Sequence, residues 1–286
     1  MKRIELDTGV ARQLCYSEPP WFSAFVEMAG HGWSFHLTEI AVSELIAALY
    51  RGSISEEQWK EGIMRLEVIL GKIFPTLPGK RDLFHLCGLI DEEDPNKEFL
   101  SEEFLAAYSI AMWEVMKTPL PEPNVEIRIF FRAEGKTFSA PFRPEQASIE
   151  LTRERSKWIE EMTQEPITNF DYEKSVINSK RNFDSWAKTD GLPMSLKGDI
   201  LAHARAEWER RLANGYNASS GKRKNDGIDF LLNFTFMWPA LLVTTDQNLR
   251  NFIRGLKSYQ AGWIFFPQEL ASVWIAGNLA EPDWST

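Results

Sequence analysis

The chain has 286 residues, 44% of them hydrophobic and 26% charged, the composition of a globular protein of one enlarged domain or two ordinary ones. A formal net charge of −9 excludes a protein that coats nucleic acid nonspecifically, since such binding rests on Lys and Arg neutralising phosphates, but it leaves room for an enzyme that gathers acids at one site. No run approaches the ~20 apolar residues of a membrane span, and the opening "MKRIELD" has no secretory apolar stretch, so a cytoplasmic protein with no membrane partner is expected.

In chain order, residues 2–6 predict a strand that ends on Asp7. "WFSAFVEMAG" then has helical spacing through Phe22, Phe25, Val26 and Ala29, and Gly30 and Gly32 stop it. "WSFHL" at 33–37 predicts a second strand, and "TEIAVSELIAALYRG" a helix closed by Gly52, so the opening is strand, helix, strand, helix. "SISEEQWKEGIMRLEVILGKIF" predicts a further helix with a capping box from Ser53 to Glu56, ended by Pro75 and Pro78.

The middle differs. An acidic loop, "DEEDPNKEFLSEEF", leads to a helix through "LAAYSIAMWEVM", and "VEIRIFFRAEGKTFSAPF" alternates around "AEGK" as a β-hairpin or a frayed helix. "PEQASIELTRERSKWIEEM" and "KGDILAHARAEWERRLANG" predict helices, the second with Gly215 at its C′ position. Near the far end, "DFLLNFTFMW" predicts a helix until Pro239, "ALLVTT" a strand over 240–244, "DQNLRNFIRGLKS" an amphipathic helix and "GWIFF" a last strand. Strands alternating with helices at both ends predict an α/β core with a parallel sheet, interrupted by a mainly helical insertion.

Strands of a parallel sheet all finish on one edge, and ligands bind outside it. Asp7 ends the first strand, Asp246 follows strand 240–244, Glu44 lies early in the helix after the second strand, and Asp229 opens the helix that leads back to the sheet. The four are therefore expected at one edge. Crowded carboxylates raise one another's pKa values, and a divalent cation reverses that penalty. Mg²⁺ or Mn²⁺ prefers such oxygen ligands, lowers the pKa of bound water and stabilises charge on a transferring phosphoryl group. Singly, Asp7 and Asp246 also suit helix N-caps and Asp229 a helix dipole. Glu44 shares its face with Ile40, Ala41 and Ala48 and needs a partner. Cys15, Cys87 and the histidines His31, His36, His85 and His203 show no zinc or redox spacing.

In their order along the chain, "ELDTGV", "VSELIAAL", "NDGIDFLL" and "LLVTTD" resemble the acid motifs of the PIN-domain nuclease family. The resemblance covers the two ends of the chain. It implies a PIN-like, Rossmann-like parallel sheet flanked by helices, with core halves at 1–80 and 222–286 around an insertion at 81–221. It implies a Mg²⁺- or Mn²⁺-dependent endoribonuclease acting on single-stranded or structured RNA; a further reading keeps the fold and makes single-stranded DNA the substrate. Asp7, Glu44, Asp229 and Asp246 would be the catalytic metal ligands, with Thr8 and Thr244 orienting them. Asp226 competes with Asp229 for the third acid and would otherwise be a cap or an auxiliary ligand. Gly9 stands where the family often has Asn, and the insertion makes the chain about twice as long as the small toxin-type members.

Lys222, Arg223 and Lys224 in "GKRKND" either form a solvated loop or guide phosphates toward the acids. Trp113, Trp158, Trp186 and Trp208 serve either core packing or base stacking; packing is favoured, since Trp208 repeats with Leu201, Ala204 and Leu212 at helical spacing. A protein inhibitor or partner and a second copy of the chain are further expected partners. The alternative from another class is a catalytically weak PIN-like scaffold whose insertion is the partner surface.

Overall fold

A computed structural model describes residues 2–89, 101–163, 169–187, 191–223 and 225–284. Lys224, the side chain of Lys222 and most of the acidic loop lie outside the described residues. The amino-terminal part runs β1 (Arg3–Leu6), α1 (Thr8–Tyr16), α2 (Phe22–Gly30), β2 (Ser34–Leu37), α3 (Glu39–Tyr50) and α4 (Glu56–Ile69). One more helix is present than the expected alternation: "TGVARQLCY" forms α1, burying Val10, Ala11, Leu14 and Cys15. The capping box of α4 sits on Ser55 rather than Ser53. Gln58 N–H donates to Ser55 Oγ and Ser55 N–H donates to Gln58 Oε1, because the helix begins only at Glu56.

The middle comprises α5 (Lys80–Leu86), α6 (Glu102–Lys117), β3 (Ile127–Ala133), β4 (Lys136–Phe142), α7 (Pro144–Met162), α8 (Tyr172–Trp186), α9 (Met194–Lys197) and α10 (Asp199–Ala213). β3 and β4 are the expected antiparallel hairpin, with Ala133 opposite Lys136. Its two turn residues, Glu134 and Gly135, have φ of 52° and 73°, the left-handed pair that a tight hairpin turn requires. Gly215, at φ 81°, closes α10 as expected.

The chain then returns through α11 (Asp226–Leu231), a 3₁₀ turn over Leu232–Met237, β5 (Leu241–Val243), α12 (Gln247–Gly255), a 3₁₀ turn over Tyr259–Trp263, β6 (Ile264–Phe265) and α13 (Pro267–Ile275). The helix expected from Asp229 to Pro239 thus starts earlier and tightens after Leu231. Asn233 Nδ2 donates to Phe230 O and Thr235 Oγ1 to Leu232 O, and such local side-chain bonds compete with the α-helical ladder.

The sheet is parallel in the order β2-β1-β5-β6. Leu6 stands opposite both Leu37 and Val243, so the two ends of the chain pair directly at its centre. The protein is therefore α/β, with a four-stranded parallel sheet of Rossmann-like layout flanked by helices. The middle segment joins the same core. Trp113, Met116 and Phe131 pack with Ile4, Phe25 and Phe35 on one side. Met194, Ile200 and Leu201 pack with Leu242, Ile253 and Ile264 on the other. Trp113, Trp158 and Trp208 are buried, while Trp186 is 65% exposed. No described helix is long and apolar enough to cross a membrane.

Candidate metal centre

The carboxyl ends of β1 and β5 set the site. Asp7 N–H donates to Val243 O, locking the residue after β1 against β5. The Asp7 carboxylate then works in two directions: Oδ1 accepts the Thr8 backbone N–H at 2.7 Å, and Oδ2 accepts the Thr244 hydroxyl at 2.7 Å. Thr244 Oγ1 in turn accepts the Asp246 N–H at 3.0 Å, so one buried hydroxyl fixes both acids. Asp246 caps α12 with Oδ1, which accepts the N–H groups of Asn248 and Leu249. The expected orienting role falls to Thr244 as a side chain. Thr8 contributes its backbone N–H alone; its hydroxyl is buried and has no partner among the described residues.

Asp7, Glu44, Asp229 and Asp246 all line one cleft of about 340 Å³. Glu44 reaches it from α3, where its partner is Arg155 of α7, Nη2 to Oε1 3.7 Å. Asp229 reaches it from α11 and does not open that helix as expected: Asp226 begins it, which puts both acids in the first turn. Asp229 faces the other acids. Asp226 accepts the Tyr216 hydroxyl at 2.8 Å and is not among the cleft's lining residues. Arg223 does not line the cleft either; its guanidinium lies 4.4 Å from the centre of the Tyr216 ring.

Burial and mutual repulsion charge this cleft with unfavourable energy. Burial, followed by the fields of Asp246, Asp7, Asp226 and Glu44, pushes the Asp229 carboxyl up to about 8. Burial also pushes Asp7 up to about 6 against the hydrogen bonds from Thr244 and Thr8, with Glu44 and Asp246 adding to the rise. The donor set, all carboxylate oxygen, fits a hard divalent cation in its chemistry. Among the described residues, however, no group of three or more His, Cys, Asp or Glu side chains is arranged to hold a metal ion. Glu44 is turned to Arg155, and Asp7 is spent on its two hydrogen bonds.

Three arginines not anticipated from the sequence line the same cleft: Arg12 from α1, Arg51 from the end of α3 and Arg155 from α7. Arg51 follows Glu44 by seven residues, two helical turns along one face of α3, and that spacing was a usable signal. Arg155 carried none, because it reaches the cleft only through the packing of the inserted helix. Gly9, where the nuclease family often has Asn, faces Thr245: a Cβ there would stand 2.0 Å from Thr245 Oγ1.

The fold and the cleft define a class, an α/β protein whose carboxylates converge outside the carboxyl edge of a parallel sheet. Comparison with protein-family profiles, with curated proteins and with solved structures returns no match.

Proposed function

We propose that this cleft is the metal site of a PIN-like endoribonuclease that uses Mg²⁺ or Mn²⁺ to hydrolyse phosphodiester bonds of RNA. The observation that carries the proposal is the convergence of Asp7, Glu44, Asp229 and Asp246, from four separate elements and from both ends of the chain, on one cleft at the sheet edge. Helix capping alone accounts for Asp7 and Asp246 singly; it does not account for Asp229, pushed up to about 8 by burial and then by its acidic neighbours, or for Glu44 facing the same space.

Asp7, Glu44, Asp229 and Asp246 would hold the cation. When bound, it supplies charge neutralisation at the scissile phosphate and a lowered pKa for attacking water. The chain's own part is positional. Thr244 holds Asp7 and the Asp246 backbone in register, and α12 fixes the Asp246 carboxylate through two backbone donors.

A second reading, a catalytically weak module that binds a partner, is favoured by Arg155 at Glu44 and by the lack of a ready ligand arrangement among the described residues. Cleavage of a labelled single-stranded RNA separates the two, measured with Mn²⁺ and with chelator for the wild-type chain and for Asp246→Asn. Asn keeps the helix cap and is a poor ligand for a hard cation. Metal-dependent cleavage that vanishes in the variant at an unchanged melting temperature is the expected result. A wild-type chain that cuts neither RNA nor single-stranded DNA refutes the nuclease and leaves the binding module.

A further inference from the structure

Arginine usually neutralises acids at close range, and elsewhere in this protein it does so. Arg250 and Arg254 both bond Glu269 within 2.9 Å, and Arg210 grips both oxygens of Glu207 at 2.7 Å. The cleft arginines behave differently although carboxylates surround them. Arg155 approaches Glu44 only to 3.7 Å, and Arg12 and Arg51 form no ion pair among the described residues. The Nε–H groups of Arg12 and Arg155 are buried with no acceptor. A buried guanidinium N–H left unbonded is unfavourable, and neither guanidinium spends this donor on an acceptor of the chain, so the charge of each fork on the cleft is left for a ligand.

A planar guanidinium fork matches the paired oxygens of a phosphate. Arg155 is also held firmly in place. Leu151, one turn earlier on α7, packs against Ala47 of α3 and Ile228 of α11, the helices that carry Glu44 and Asp229. The inserted segment therefore forms one wall of the cleft.

We propose that Arg12, Arg51 and Arg155 form a phosphate-binding subsite for the backbone of single-stranded RNA, and that Arg155 makes the inserted helix α7 part of the substrate site. The proposal rests on the reading that the cleft takes RNA, but it needs neither the metal nor cleavage. Because it engages phosphate and not bases, the subsite sets position and affinity with little preference for sequence.

The test is binding of a fluorescein-labelled, random-sequence single-stranded RNA of about twelve nucleotides, followed by anisotropy in chelator across a salt series. Each phosphate contact to a single strand contributes about 0.7 to the slope of log affinity against log salt. Arg155→Gln is expected to weaken binding about tenfold and to lower that slope by about 0.7. Adding Arg12→Gln doubles the loss of slope, and Arg155→Lys, which keeps the charge, restores most of it.

If Arg155 only offsets Glu44, Arg155→Gln shifts the melting temperature and leaves the slope unchanged, which overturns the proposal. So does a wild-type chain that does not bind the RNA. Should Arg155→Gln fail to fold, Arg12→Gln and Arg51→Gln carry the same comparison. Arginine-dependent binding without cleavage in Mn²⁺ would sink the nuclease and keep the subsite; cleavage with an arginine-independent slope would do the reverse.

Discussion

Asp229 is the residue whose protonation most distinguishes the folded chain from the unfolded one in this cleft. Its carboxyl ordinarily titrates at 3.8 and is pushed up to about 8 by burial and four neighbouring acids. Between those values the unfolded chain releases a proton that the folded chain keeps, so stability falls as pH rises through the window and is fully retained below it. In chelator, wild type is therefore expected to lose melting temperature relative to Asp229→Asn as pH rises from about 4 to about 8, and the two curves should run parallel at lower pH. Glu5, buried in β1 and also pushed up to about 8, adds the same trend to both proteins and cancels in the difference. Parallel curves throughout would mean that Asp229 titrates normally. The acids were legible in the sequence because strand ends and helix starts leave visible marks there. Of the arginines, Arg51 left a mark in its spacing from Glu44, whereas the place of Arg155 depends on which helix packs on which.

At the scale of elements, close approach of α1 to α4 is made possible by Gly62. A Cβ at that position would lie 2.4 Å from Cys15 Sγ and 2.9 Å from Cys15 Cα, and the second of these cannot be relieved by rotating a side chain. Gly62→Ala is expected to cost about 1–3 kcal/mol in denaturant unfolding through forced separation of the two helices; an unchanged midpoint would show that the helices separate freely. The amphipathic helices α7, α10 and α12 and the β3–β4 hairpin follow the sequence closely, because periodicity and turn chemistry act locally. Expectation failed at α1 and at the end of α11, where Asn233 and Thr235 divert hydrogen bonding. Those outcomes turn on competition over a few bonds, which a hydrophobic pattern does not record.

Across the whole molecule, the inserted segment and the sheet hold one another. The Asp199 carboxylate pairs with Lys180 of α8 and accepts the Tyr259 N–H, while Gln260 bonds Lys197 O and the Ile200 N–H. With the core passing through both parts, thermal unfolding is expected as a single cooperative transition by calorimetry. Two resolved transitions would show instead that the insertion folds as its own unit. The sheet's register has a further consequence, in time. Asp7 meets its Thr244 partner across 237 positions of sequence, and at ribosomal rates of ~5–20 residues per second that distance takes roughly 12–50 s to synthesise. Until then β1 has no β5 beside it and the cleft has no Asp246. The cleft is thus incomplete through most of the chain's synthesis, and any property that needs all four acids begins only once β5 and Asp246 have been made.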